Sequence, residues 1–196
     1  WDECAGETGT PPEGTPVVLA FDGSASGDST ALIGCTIPTS DEDRPHLFTV
    51  GLWEAPEDNP RWRVPRHEVA GTIATAFDTW EVRELAADPW GWRSELEEWA
   101  ATHGADRVVE WNTAHAGRMA PATDRLYAAI MTHTVTHDGH ETVADHLANA
   151  RAKRTPMGDL VTKDKRGGAR KIDAAVGVIV AHDRAVWHYR NPPKRR

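Results

Sequence analysis

Residues 17–21 read VVLAF, five apolar positions in succession, and stop abruptly on Asp22-Gly23. A run this short is too brief for a stable helix, and its β-branched start favours a strand. No residue in it is suited to face water, so the strand must be covered on both faces. The chain therefore has to build a sheet with a layer packed on each side, and this strand belongs near the middle. Two more strand-type runs follow, TALIGCTI at 30–37 and HLFTVGLW at 46–53, separated by polar loops. Their spacing predicts an antiparallel meander of three strands.

Beyond the meander, periodicity alternates. Val69, Ile73, Ala76, Phe77 and Trp80 recur at helical spacing over 65–80. EVRELAA at 81–87 reads as a strand ending at Asp88-Pro89, because the residue before a proline is pushed to extended geometry. A helix over 92–103 (Leu96, Trp99, Ala100) is stopped by Gly104, and RVVEW at 107–111 is a fifth strand. Helices are expected over about 119–132 (Leu126, Ala129, Ile130), 141–151 (Val143, His146, Leu147, Ala150) and 172–188 (Val176, Ile179, Val180, Asp183, Trp187). Between the last two, residues 159–171 carry a charged Gly-Gly centre and read as a mobile hairpin. The expected fold is α/β: a three-strand antiparallel meander joined to parallel strands in one mixed sheet, with helices on both faces.

At 196 residues the chain is long enough for one domain, assigned to 17–190. Residues 1–16 are rich in Gly, Pro, Thr and Glu and read as a linker or N-terminal arm; 191–196 form a basic tail. The chain opens on Trp1 without a methionine or a signal segment, which reads as a piece of a longer protein. No apolar run approaches the ~20 residues that cross a bilayer, so no membrane partner is expected. Two cysteines, Cys4 and Cys35, make neither a disulfide framework nor a zinc site, and fit a reducing compartment.

The net charge of −8 argues against a polyanionic partner until its distribution is considered. Residues 1–58 hold twelve acidic residues against one arginine, whereas 151–171 hold eight Lys or Arg against two Asp. A chain so divided can grip a polyanion at one end and cations at the other. Lys163, Lys165, Arg166, Arg170 and Lys171 are the candidates for phosphate contact, binding backbone rather than reading bases. A solvated basic loop would have the same composition.

Three acids sit where this topology can gather them: Asp22 after the first strand, Asp88 after the fourth, and Asp173 opening the last helix. Each has a structural alternative: Asp22 as a turn former, Asp88 as part of a turn or a helix entry, Asp173 as an N-cap. Gathered together they would repel one another, and a hard divalent cation is the simplest way to neutralise them. Asp28, in the GDST turn, is a weaker candidate ligand, and Asp183 reads as structural. His133, His137, His140 and His146 crowd one region, but without a nearby cysteine or HExxH they read as structural rather than zinc-binding. No G-x-S-x-G elbow supplies a nucleophile.

The stretches VVLAFDGSASGDSTALIG (17–34) and ELAADPWGW (84–92) resemble the first and second acidic motifs of the nuclease domain of phage large terminase subunits. The segment 136–185, with KIDAA holding a third acid, resembles that family's C-terminal block. The resemblance implies an RNase H-like fold and a metal-dependent endodeoxyribonuclease that cuts concatemeric viral DNA during packaging. It maps the family's metal-ligating acids onto Asp22, Asp88 and Asp173, with two Mg²⁺ or Mn²⁺ ions as cofactors. It further implies double-stranded DNA, the small terminase subunit and the portal as partners, and the cytoplasm of an infected bacterial host as the place of action. The family's ATPase motor is a separate N-terminal domain of the same polypeptide; no GxxxxGK[ST] loop occurs here. A junction resolvase or transposase-type nuclease of the same fold, or a non-catalytic DNA-binding or assembly module, would share these features.

Overall fold

The computed structural model describes residues 1–6, 9–24, 29–56, 59, 61–164 and 170–193. Strands β1 (Pro16–Asp22), β2 (Thr30–Thr36) and β3 (His46–Trp53) form the antiparallel meander. Helix α1 (Arg66–Thr79) returns the chain to β4 (Glu81–Ala87), which lies parallel to β1. Helix α2 (Arg93–His103) leads to β5 (Val108–Glu110), parallel to β4. A further short strand, β6 (Thr136–His137), follows α3 (Ala116–Met131) and pairs parallel to β3, giving the order β5-β4-β1-β2-β3-β6. β6 is absent from the sequence reading because two residues show no period. Helix α3 begins a turn before the expected 119, with Pro121 inside it.

Burial follows the period of two. Val17, Leu19 and Phe21 enter a core with Val69 and Ile73 of α1 and Leu96 and Trp99 of α2. Val18 and Ala20 enter the opposite core, with Met119 and Leu126 of α3, Val143 of α4 (Glu141–Asn149) and Val178 of α5 (Asp173–Arg190). Along β4 the register against β1 shifts: Val17 pairs with Val82, but Val18 pairs with Glu84. Arg83 is the extra residue. From there on Glu84 and Ala86 face α5, while Leu85 and Ala87 face α1 and α2.

The expected hairpin is displaced. The strand-type residues at 159–162 do pair, but upstream: β7 (Arg151–Thr155) and β8 (Gly158–Thr162) close through Pro156-Met157. The extended Arg151–Thr155 segment also ends α4 at Asn149. The Gly167-Gly168 centre, with Lys165 and Arg166, lies outside the described residues, as do Asp28 and 194–196 of the tail. Residues 1–6 run beside β6: the Trp1 ring stacks on His137 at 3.8 Å and Gly6 N–H donates to the His137 carbonyl. Cys4 and Cys35 are buried and unbridged. No described helix is long and apolar enough to cross a membrane.

Two polar groups of α5 are buried, Asp183 with a hydrogen-bond partner and His182 with none at its Nδ1 among the described residues. Asp183 pairs with Arg125 of α3, as its reading as structural anticipated. Its neighbour His182 is 3% exposed, and burial, aided by the Arg125 charge, holds its imidazole down at about 4 instead of 6.5. The unfolded chain therefore binds a proton below pH 6.5 that the folded chain refuses until about pH 4. Stability should fall by up to about 3 kcal/mol as pH drops across that window. Urea unfolding at pH 7 and 4.5 measures it, and His182→Gln should flatten the slope.

Candidate metal and nucleic-acid site

The carboxyl ends of adjacent strands in an open α/β sheet are where ligand sites form. Asp22 ends β1, and Asp88 follows β4, its N–H donating to the Phe21 carbonyl at 3.0 Å. By strand alternation Asp22 continues the Val18, Ala20 series toward α5. Asp88 continues the Glu84, Ala86 series toward α5 because of the shift at Arg83. Asp173 is the first residue of α5. All three line one open cleft of about 840 Å³, with Trp90, Arg93, Asn112 and Thr113. Gly23 forms part of its wall; a Cβ there would lie 2.4 Å from Trp92 Nε1 and 2.5 Å from Phe21 Cε1, so only glycine fits.

The Asp88 and Asp173 carboxylates are each held by hydrogen bonds. Asp88 Oδ1 accepts from the Trp90 N–H at 2.9 Å, and Oδ2 accepts from the Thr113 N–H at 2.9 Å and from its hydroxyl. These bonds fix the side chain and leave part of its lone-pair capacity toward the cleft. Asp173 Oδ2 accepts from the buried Ser29 hydroxyl at 2.6 Å and lies 3.9 Å from Lys163 Nζ. Among the described residues no group of three or more His, Cys, Asp or Glu is gathered tightly enough to enclose a metal by itself. The donor set nevertheless suits a hard cation: carboxylate oxygens on an open cleft match Mg²⁺, which keeps several waters and needs few protein ligands.

The N-terminus of α5 is capped from another helix. Its N-cap residue, Ile172, offers no side-chain bond, so the Ala174 N–H would be an orphan. His146 of α4, 3% exposed, accepts it on Nδ1 at 3.0 Å, while its Nε2 faces Glu54 Oε1 at 3.1 Å. The apolar-face histidine is thus a satisfied core residue that also steadies the residue next to Asp173. His146→Ala should cost about 1–3 kcal/mol by leaving a buried donor unpaired, readable as a lowered Tm. Two other histidines of that region make local contacts. His137 stacks on Trp1, and His133 lies 3.3 Å from Glu3.

Of the basic candidates, Lys163 sits at Asp173, Arg170 is exposed, and Lys171 is half-buried with its carbonyl held by Asn149. Arg93, Thr113, Ser29 and Trp90 are cleft or carboxylate partners that the sequence reading missed. Thr113 was findable, since it follows β5 at the same sheet edge as the acids.

This strand order, with acids at the carboxyl ends of neighbouring central strands, defines an RNase H-like fold. The large terminase of bacteriophage HK97 has the same fold, with a TM-score of 0.73 and 21% identity over 92% of this chain and 41% of that one. The large terminase nuclease of thermophilic phage G20c, solved with bound magnesium, matches with a TM-score of 0.60 and 15% identity over 88% of this chain and 84% of that one. The Gene 13 protein of Mycobacterium phage L5 is 28% identical over 178 residues, covering 86% of this chain and 29% of that protein. The family described as terminase large subunit, endonuclease domain, matches residues 65–189, and the chain belongs to it. It spans under a third of the length of the L5 protein.

Proposed function

We propose that this domain hydrolyses DNA phosphodiester bonds with the help of divalent metal ions held by Asp22, Asp88 and Asp173, cutting concatemeric genomes for packaging. The observation that carries the reading is that three acids from separate elements line one cleft in a chain of the terminase endonuclease family. The magnesium bound by the G20c nuclease supports Mg²⁺, or Mn²⁺ with the same ligand preferences, as the cofactor. Two such ions would activate water and offset the charge that develops on the scissile phosphate. Asp88 is oriented by Thr113 and Trp90, and Asp173 by Ser29; Lys163 and Arg93 place positive charge beside the phosphate path. Lys165, Arg166, Arg170 and Lys171 would extend that path along the duplex backbone, making affinity fall steeply with salt.

In the longer protein, an N-terminal ATPase domain would be this domain's neighbour, and the small terminase subunit and portal its partners, in the cytoplasm of the infected host. Supercoiled plasmid tests the reading. Nicking is expected in Mg²⁺ or Mn²⁺ and not in EDTA, and undiminished cutting in EDTA would overturn it. Binding without cutting in either metal would make this a non-catalytic DNA-binding module.

A further inference from the structure

Trp90 is 72% exposed, the most exposed of the large apolar side chains described, yet it stands on a well-anchored turn. Its N–H is tied to Asp88 Oδ1 at 2.9 Å. Two residues on, Trp92 is fully buried, edge-on to Phe21 at 4.9 Å, with the Arg66 guanidinium over its ring at 4.2 Å. Gly91 makes the reversal between them at φ 75°. One tryptophan is thus an anchor, and the other is held out in water at the rim of the acid-lined cleft, beside Arg93. The turn fixes its backbone, and no described ring stacks on it.

An indole carried on this anchored backbone offers a flat apolar face to whatever enters the cleft. In a DNA substrate the matching surface is the face of a nucleobase, with Arg93 near the adjoining phosphate. Inside a duplex those faces are covered by neighbouring base pairs, so the indole can reach one only where the strand is unpaired. We propose that Trp90 stacks on an unpaired nucleobase next to the scissile phosphate, so that the cleft prefers locally opened DNA to closed duplex. The inference rests on the reading of the cleft as a DNA site. It adds a preference for the state of the strand.

Fluorescence anisotropy of labelled oligonucleotides in EDTA tests this without any cutting step. The probes are a single strand, its perfect duplex, and the same duplex with a short mismatched bubble. Wild type should bind bubble and single strand more tightly than duplex. Trp90→Ala should weaken the first two by about 5- to 100-fold and change duplex binding by less than about twofold. Trp90→Phe should retain most of the preference, because its ring still stacks. An equal loss on all three DNAs, or no loss on any, would overturn the proposal; no loss would assign the indole to a protein contact instead. Failure of wild type to bind any of the three would sink the DNA reading of the cleft itself, a result distinguishable from loss of preference alone.

Discussion

Asp22→Asn and Asp173→Asn are each expected to reduce metal-dependent nicking by at least about a hundredfold while the domain stays folded. Asparagine keeps the shape of aspartate but removes its charge and turns one oxygen into a donor, which repels a cation. A bound ion contributes several kcal/mol to stabilising the charge that builds during hydrolysis, and each 1.36 kcal/mol is a factor of ten in rate. Asp88→Asn should behave differently. Its carboxylate also accepts bonds from Trp90 and Thr113, so an amide nitrogen facing either donor disturbs the turn as well as the site. That variant should lose activity and also about 1–3 kcal/mol of stability. Plasmid nicking in Mg²⁺ and Mn²⁺, paired with thermal melts, separates the two effects. Wild-type cutting rates in both Asp22→Asn and Asp173→Asn would remove these residues from the mechanism.

Arg184→Ala is expected to destabilise the domain by about 3–5 kcal/mol, the cost of stranding a buried charge. Glu84 of β4 is 4% exposed. Arg184 of α5 grips it through two bonds, of 2.6 and 2.7 Å, and His188 adds a third at 2.9 Å. Burial alone would raise the Glu84 carboxyl, but the bonds and charges of His188 and Arg184 outweigh it and leave the group below its ordinary 4.5. A carboxyl lowered by folding contributes stability that is present above its unfolded value and is lost as pH falls through the folded one. This acid loss therefore begins below pH 4.5, at the lower end of the His182 window. Urea titrations at pH 7 measure the variant. Replacing Glu84 and Arg184 together by leucine and methionine should recover much of the loss, since no charge is then left buried. If the double variant is as unstable as Arg184→Ala, packing rather than charge explains the effect.

Arg184 also covers Trp187, which helical spacing sets in one series with Val176, Ile179 and Val180 but which is 44% exposed, with the Arg184 guanidinium 4.3 Å over its ring. Periodicity treats tryptophan as apolar and does not see that an arginine serves as its cover. The hairpin missed for a related reason. Residues 159–162 have strand character, but pattern does not name the partner, and the upstream segment 151–155 is so charged that it reads as solvent-facing. Its exposure is real, because β7 and β8 form a separate two-stranded ribbon against α3 rather than an edge of the main sheet.

The meander, the two αβ units and the long final helix could all be read from residue order. They depend on local hydrophobic period, on proline and glycine punctuation, and on short motifs, all of which are properties of neighbouring residues. Residue order brings the acids to one edge of the sheet, but the face that Asp88 takes there could not be read in this way. Counted by alternation from the paired residues Val17 and Val82, Asp88 would point toward α1 and α2, away from Asp22. The register shift at Arg83 reverses that parity and aims Asp88 toward α5. Such a shift arises from how two strands pair across 60-odd residues of intervening chain, and a one-residue slip moves every later side chain to the other face. The cap that His146 gives to α5 is likewise a contact between helices, set by packing alone.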